Sequence, residues 1–239
     1  MYNGKKISVV IPCYNEEKGI GKVIPKLPKF IDEIIVIDNN SSDSTSEVAK
    51  SLGGKVIFEA RKGYGRAYKT GLKAVEGDII VTLDGDGTYP ALAIPYLVDA
   101  LIEEGLDFIS ARRIFKSWDL LDRRNVKEAV FRFIGNKVLS FATWTLFGCY
   151  LNDSQSGMWI FKKDVLSKVN VTSDGMPFSE ELKIEVFKNK SFKSREVPIE
   201  FYYAKREGDS KLNLWGDGFG NLAFLFRKRF TKLDSSDWS

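Results

Sequence analysis

The chain of 239 residues contains no histidine. That removes the side chain most often used as a general base or metal ligand near neutral pH, and with it any Ser-His-Asp or Cys-His arrangement. Acid–base work and metal binding fall to carboxylates, whose oxygens favour Mg2+ or Mn2+ over Zn2+. Cysteine is nearly absent. Cys13 and Cys149 stand in unlike contexts with no CxxC pair, so neither a disulfide framework nor a zinc site is expected, and both read as buried thiols in a reducing compartment. Long apolar runs are missing too. The uncharged stretch 139–152 falls short of the roughly 20 residues a spanning helix needs. The N-terminus enters a strand without a signal-peptide pattern. These features predict a protein that is soluble, or that touches membranes without crossing them. A net charge of only +4 argues against a strongly basic nucleic-acid binder. No GxxxxGK followed by Ser or Thr occurs, which excludes P-loop chemistry.

What is present is an ordinary globular composition, 44% hydrophobic and 28% charged, in which strand and helix patterns alternate. Residues 7–11 form the first β-branched run, closed by Pro12; residues 33–38, 55–58 and 78–83 form the next three. Helical stretches lie between them, from Tyr14 to about Leu27, from Thr45 through Leu52 to a Gly53-Gly54 stop, and from Ala67 to Val75. Units of roughly 25 residues predict right-handed βαβ crossovers and a mostly parallel sheet flanked by helices. A helix near 91–104, a strand at 108–110, strands at 157–161 and 194–201, and helices at 179–188 and 214–230 complete the α/β reading.

On an open α/β sheet, ligands bind at the carboxyl ends of the strands. Asp84 and Asp86 stand at such an end, followed by Gly87. They suit a divalent cation and the diphosphate it carries, although Asp-Gly pairs are also ordinary turn residues. Gly63-x-Gly65 is no dinucleotide fingerprint, because Tyr68 replaces the third glycine and the pair follows the third strand. From Arg112 the chain turns basic, through Arg113, Arg123, Arg124 and Lys137, and then aromatic, through Phe141, Trp144, Phe147 and Tyr150. Such a stretch suits an anionic surface and a lipid phosphate. It equally suits an amphipathic helix packed on the sheet.

Several motifs now fall in order. Val10-Ile11-Pro12-x-Tyr14-Asn15-Glu16, Asp38-x-x-Ser41-x-Asp43-x-Thr45, Arg61-x-Gly63-x-Gly65-x-Ala67 with Gly71 and Gly77-Asp78, and Asp84-x-Asp86 resemble the inverting family 2 glycosyltransferases. Farther on stand Asp153-x-x-Ser156-Gly157, the acid of Phe178-Ser179-Glu180-Glu181-Leu182, and Glu196-Val197-Pro198-Ile199. With Arg206-x-Gly208-x-Ser210-Lys211 they are similar to the branch containing dolichol-phosphate mannose synthase and related polyprenyl-phosphate hexose transferases.

The resemblance spans about residues 7–212. It implies an α/β GT-A fold, Rossmann-like with a mostly parallel central sheet, over residues 1–212 and a C-terminal amphipathic helix and tail over 213–239 on the basic, aromatic acceptor side. It implies a nucleotide-sugar donor of GDP-mannose or UDP-glucose type, held by Pro12, Tyr14, Glu16, Asp38, Arg61, Gly65 and Asp84. Mg2+ or Mn2+ would sit on Asp84, Asp86 and Thr88, with Asp86 the more direct ligand; the family often has glutamine where Thr88 stands. Asp43 also reads as a helix N-terminal acid. The acceptor phosphate would meet Arg112, Arg124, Arg206, Ser210 and Lys211, with Arg113 and Arg123 as close competitors. Catalysis is assigned to Asp86 and Arg206, with Asp153 and Glu181 either as acids near the sugar or as partners of a buried arginine.

A polyprenyl (dolichyl) phosphate is already an anionic nucleophile, so positioning and charge screening matter more than a strong base. The expected activity is metal-dependent, inverting hexose transfer from a nucleotide sugar to that lipid, by a protein peripherally bound at the cytoplasmic face of a membrane. A soluble glycan or small-molecule acceptor is the alternative. A silent nucleotide-sugar-binding module is the third reading.

Overall fold

The computed structural model describes residues 1–114, 126–201 and 214–231. One seven-stranded sheet organises them. Its first four strands, β1 (Ile7–Cys13), β2 (Glu33–Asp38), β3 (Lys55–Phe58) and β4 (Ile79–Thr82), are the four expected. β5 (Phe108–Ile114), β6 (Trp159–Lys162) and β7 (Ser194–Glu200) follow. The spatial order is β3-β2-β1-β4-β6-β5-β7. Every pairing is parallel except those of β6, which runs antiparallel to β4 and β5.

Both faces of the sheet are covered, which is why its inner strands are apolar on both sides. Successive β1 side chains point to opposite faces. Val9 and Ile11 pack with Ile20 and Val23 of α1 (Glu17–Val23) and with Leu97 and Leu101 of α4 (Ile94–Glu103). Val10 packs on the other face, with Leu72 of α3 (Tyr64–Lys73) and Leu182 of α6 (Phe178–Lys188). α2 (Thr45–Ser51) joins the first face through Ala49. Gly71 lets α3 lie flush on the sheet, since a Cβ there would come within 2.8 Å of Val10 and Ile37 side-chain atoms. A further layer stands on α6. Leu139 of α5 (Val126–Phe147) and Leu225 of α7 (Leu214–Phe230) are buried together with Ile184.

Three differences from the sequence expectation have physical causes. Pro12 does not end β1, which continues to Cys13 opposite Asp38. The β1–β4 pairing stops at Val10 and Thr82, so the missing N–H of Pro12 costs no bond on that side. α1 begins at Glu17 because Asn15 adopts φ 53° and breaks helical geometry before it. β5 runs on to Ile114 because β7 pairs along its whole length, which puts Arg112 and Arg113 in a strand.

The chain leaves β1 toward β2 and β3, then returns to β4 on the other side of β1. The topological switch point therefore lies where β1 and β4 end, the usual place for a ligand crevice. Because β6 is antiparallel, its first residues also lie at this edge.

Candidate active site

The loops at the switch point are tied to one another by hydrogen bonds. After β1, the Asn15 carboxamide oxygen accepts the Ser42 N–H at 2.7 Å and the Asn15 N–H reaches the Ser41 hydroxyl at 3.0 Å. The Thr45 hydroxyl accepts the Glu16 N–H at 2.9 Å. These bonds knit the β1 and β2 loops together at the rim. Between them and the end of β4 lies a cavity of about 300 Å³, at the lower end of the roughly 300–1,000 Å³ of small-molecule clefts. Pro12, Tyr14 and Glu16 line one wall, Asn39, Lys62 and Tyr64 a second, and Asp84 and Asp86 the floor, with Met176 at the edge.

The second wall is held by Asn39, which the sequence reading missed in favour of its neighbour. Its amide donates to the Glu59 and Arg61 carbonyls at 3.2 and 2.8 Å, and its oxygen accepts the Gly63 N–H at 2.8 Å. Lys62 is thereby brought over the Tyr14 ring, 4.3 Å from its centroid, with its ammonium 2.6 Å from the phenol oxygen. Asp38 is buried beneath the wall and accepts bonds from the Ser41 N–H and the Ser46 hydroxyl. Burial disfavours its charge, but those bonds outweigh it and lower its pKa. Arg61 is exposed and salt-bridged to Glu59. Gly65 permits close packing, since a Cβ there would lie 2.5 Å from the Ser173 carbonyl oxygen. None of Asp38, Arg61 and Gly65 is on the cavity wall; Asp38 and Gly65 shape it from behind.

On the floor, one Asp86 oxygen accepts both the N–H and the hydroxyl of Thr88, at 3.0 and 2.7 Å. Thr88 is buried and fixes the rotamer of Asp86. Asp84 approaches Gly157 so closely that a Cβ on Gly157 would lie 3.2 and 3.3 Å from the carboxylate oxygens and 2.6 Å from the Tyr64 hydroxyl. Only glycine leaves this cradle intact. No group of three or more His, Cys, Asp or Glu side chains is arranged to hold a metal ion by itself among the described residues. Two carboxylates on the cavity floor nonetheless fit Mg2+ or Mn2+, which commonly take one or two carboxylates and complete their shell with substrate phosphates and water.

Three phenols stand around Asp84, those of Tyr68 and Tyr89 buried and that of Tyr64 half-buried at the cavity. The Tyr64 hydroxyl lies 3.5 Å from its Oδ1, Tyr68 donates to the Gly157 carbonyl at 3.4 Å, and Tyr89 accepts the Gly157 N–H at 2.7 Å. Burial, and then the charge of Asp84, pushes the pKa of Tyr64 and Tyr68 well up, and burial raises that of Tyr89. They remain protonated and do not act as bases.

The turn 152–157 that carries Gly157 is fastened from four elements. Arg113 of β5 clasps Asp153 with two bonds of 2.8 Å. Glu196 of β7 accepts the N–H groups of Asn152 and Asp153 at 2.7 and 2.9 Å. Asn136 of α5 donates to Asp153 at 3.0 Å. Lys183 of α6, fully buried, donates to the Asp153 and Ser156 carbonyls at 3.2 and 2.9 Å. Burial lowers the pKa of Lys183 and raises that of nearby Glu180.

Asp153, itself buried, therefore stands as the partner of a half-buried arginine, close to the alternative left open by the sequence, and does not line the cavity. That arginine is Arg113; Arg112, one position earlier on β5, points to the opposite face. Glu181 is likewise off the cavity wall. It accepts the Thr172 and Ser173 N–H groups at 2.9 and 2.8 Å and pairs with Lys228 at 2.9 Å. Asp43, as read, accepts the Thr45 N–H at 3.1 Å at the start of α2. Arg124, Arg206, Ser210 and Lys211 lie outside the described residues.

Fold and wall together define an α/β enzyme whose cleft is built from strand-end carboxylates. The comparisons with known proteins give the family. The Glycosyl transferase family 2 profile matches residues 8–169, and the chain belongs to that family of glycosyltransferases, with the GT-A fold. It is 31% identical over 220 residues to a dolichyl-phosphate hexose transferase of Haloferax volcanii, covering 91% of each chain. It is 32% identical to a UDP-N-acetylglucosamine–dolichyl-phosphate N-acetylglucosaminyltransferase of Methanococcus voltae, over 84% of this chain and 87% of that one. Among solved structures it resembles glucosyl-3-phosphoglycerate synthase of Mycobacterium tuberculosis in complex with Mn2+, UDP and phosphoglyceric acid. The TM-score is 0.74 and identity 25%, covering 97% of this chain and 81% of that one. The same enzyme with Mg2+ and UDP gives 0.73 and 26%, over 97% and 82%.

Asp153 sets a pH dependence. Arg113 overcomes the burial penalty and holds its pKa down to about 2, against 3.8 ordinarily. A lowered carboxylate pKa contributes stability that is full above the unfolded value and lost as pH falls through the folded one. The shift corresponds to about 2 kcal/mol, lost between about pH 4 and 2. Asp153→Asn takes the carboxylate away from a guanidinium only 17% exposed and is expected to cost about 3 kcal/mol at pH 7. Urea unfolding at pH 7, 4 and 3 checks this: the variant loses less stability than the parent as pH falls, and equal losses would count against the pairing.

Proposed function

We propose that the protein is a divalent-metal-dependent, inverting glycosyltransferase that moves a hexose from a nucleoside diphosphate sugar to a polyprenyl phosphate at a membrane surface. The observation that carries this reading is the placing of Asp84 and Asp86 on the floor of a switch-point cavity with Tyr14 and Lys62 on its walls. The base stacks against Tyr14, and Lys62 offers its charge to the base edge or the diphosphate. Asp86 and Asp84 hold the metal, Asp86 oriented by Thr88. Bound there, Mg2+ or Mn2+ supplies charge neutralisation to the departing diphosphate. Gly157 and Tyr64 fix where Asp84 stands, and Arg113 places positive charge behind the sugar side of the site.

Two features favour an acceptor that arrives ionised. Carboxylates engaged with a metal are poor bases, and the phenols are held protonated. A phosphate needs no deprotonation to attack at neutral pH. The names of the archaeal relatives, both dolichyl-phosphate transferases, support the same class. Contact with a membrane is supported by α5 and α7, which expose Phe141, Trp144, Phe226 and Phe230 beside Lys137, Arg227 and Arg229. No helix among the described residues is long and apolar enough to cross a bilayer. Such a face suits an interfacial helix on anionic lipid. A second reading keeps the donor and metal but takes a soluble anionic acceptor. It is favoured by the phosphoglyceric acid bound in the solved structural neighbour.

Labelled GDP-mannose, UDP-glucose and UDP-N-acetylglucosamine, each offered with Mn2+ and with or without a short polyprenyl phosphate, separate these readings. Label is expected in an organic-soluble product only when both lipid and metal are present. Asp86→Asn is expected to lower the rate by roughly 100-fold or more. Transfer to phosphoglyceric acid but not to lipid would replace the first reading with the second.

The membrane face is tested separately. Phe141→Ser with Phe226→Ser is expected to reduce co-sedimentation with anionic vesicles at least roughly fivefold while nucleotide affinity stays unchanged. Sedimentation equal to the parent's removes the α5–α7 surface as the contact.

A further inference from the structure

Residues 8–169 carry the family match, yet one wall of the cavity is braced by a helix far beyond them. Glu181 on α6 is completely buried. One of its oxygens accepts the N–H groups of Thr172 and Ser173 at 2.9 and 2.8 Å; the other accepts the Thr172 hydroxyl at 3.0 Å. A carboxylate so enclosed needs a cation. Lys228 of α7 supplies it, 2.9 Å from Glu181 and 2.8 Å from Glu185, with only 10% of its side chain exposed.

The segment fixed by Glu181 presses directly on the cavity wall. The Asp174 carbonyl accepts the Arg66 N–H at 3.0 Å, and its carboxylate holds Arg66 and Lys69 at 2.8 and 2.9 Å. Lys69 also reaches the Thr172 carbonyl at 2.7 Å. A Cβ on Gly63 would lie 2.4 Å from the Asp174 carbonyl oxygen, so the two backbones are in contact. Gly63 sits between Lys62 and Tyr64, and Met176 is two residues beyond Asp174; Lys62, Gly63, Tyr64 and Met176 all line the cavity, and Asp174 does not. A shift of 172–176 therefore moves the Lys62–Tyr64 wall and Met176 together.

We infer that Lys228 is a positioning residue for donor binding: through Glu181 it sets the 172–176 segment and with it the cavity wall that meets the nucleotide. α7 is then a working part of the donor site. The inference rests on the reading that this cavity holds the donor nucleotide.

Calorimetric titration of UDP and GDP with Mn2+ into the full-length parent comes first. Absence of binding by the parent overturns the reading of the cavity, and the inference with it. Given binding, Lys228→Met is expected to weaken the nucleotide Kd and raise the donor KM by roughly tenfold, with kcat within about twofold and Lys228→Arg recovering most of the loss. A merely structural lysine would lower Tm and leave the Kd of the folded protein unchanged. A nucleotide Kd within about twofold of the parent's overturns the inference whatever the Tm. Should Lys228→Met fail to fold, Thr172→Val removes only the hydroxyl contact to Glu181. The same comparison then applies, with a smaller weakening of nucleotide binding expected and an unchanged Kd again overturning the inference.

Discussion

The bidentate bond between Arg113 and Asp153 fixes the turn on which the site is built. Asp153 is almost fully buried, and a charge so placed is tolerable only with a close partner and its remaining lone pairs satisfied. Arg113 provides the partner; Asn136 and the Arg113 N–H satisfy the rest. With Asp153 set, Glu196 and Lys183 close the backbone around it, and Gly157 comes to rest against Asp84. At this point the two halves of the chain meet across the site. The N-terminal half supplies the carboxylates and the Lys62–Tyr64 wall of the cavity, and the half after β5 supplies the turn that orients Asp84. Breaking the pair takes the counter-charge from a guanidinium only 17% exposed, which is why its loss costs more than its formation gains.

Much of the first half was legible because local physics decides it. β2 and β3 have the limits that their apolar runs suggest, and the Asp-x-Asp lies at a strand end because the strand's hydrophobicity stops there. What was not legible depends on facing and direction. Arg112 and Arg113 are indistinguishable in a string but lie on opposite faces of β5. Asp38 and Asn39 differ in the same way: the acid folds back on its own loop and the amide reaches the next one. The antiparallel course of β6 has no periodic signature, since a short buried run reads alike in either direction. Partners distant in sequence were hidden as well. Asp153 meets an arginine 40 positions earlier, and Glu181 a lysine 47 positions later.

The chemistry left to the site follows from what surrounds it. With no histidine and with its phenols held protonated, the cavity binds and screens charge more readily than it moves protons. Preorganised electrostatics is the largest catalytic term in many enzymes, and the charged groups fixed here are two carboxylates on the cavity floor, Lys62 on its wall and an arginine behind Asp84. Helices α5 and α7 serve both sides of this arrangement. Their buried faces brace the 152–157 turn and the 172–176 segment, while their outer faces carry aromatic side chains.

The measurement that bears most directly on the carboxylate floor is anomalous scattering from Mn2+ in crystals grown with a nucleoside diphosphate. The expected result is one manganese peak bonded to an Asp86 oxygen and to the diphosphate, with the base against Tyr14. A nucleotide bound with its diphosphate away from Asp84 and Asp86, or a manganese ion elsewhere on the protein, would contradict the site.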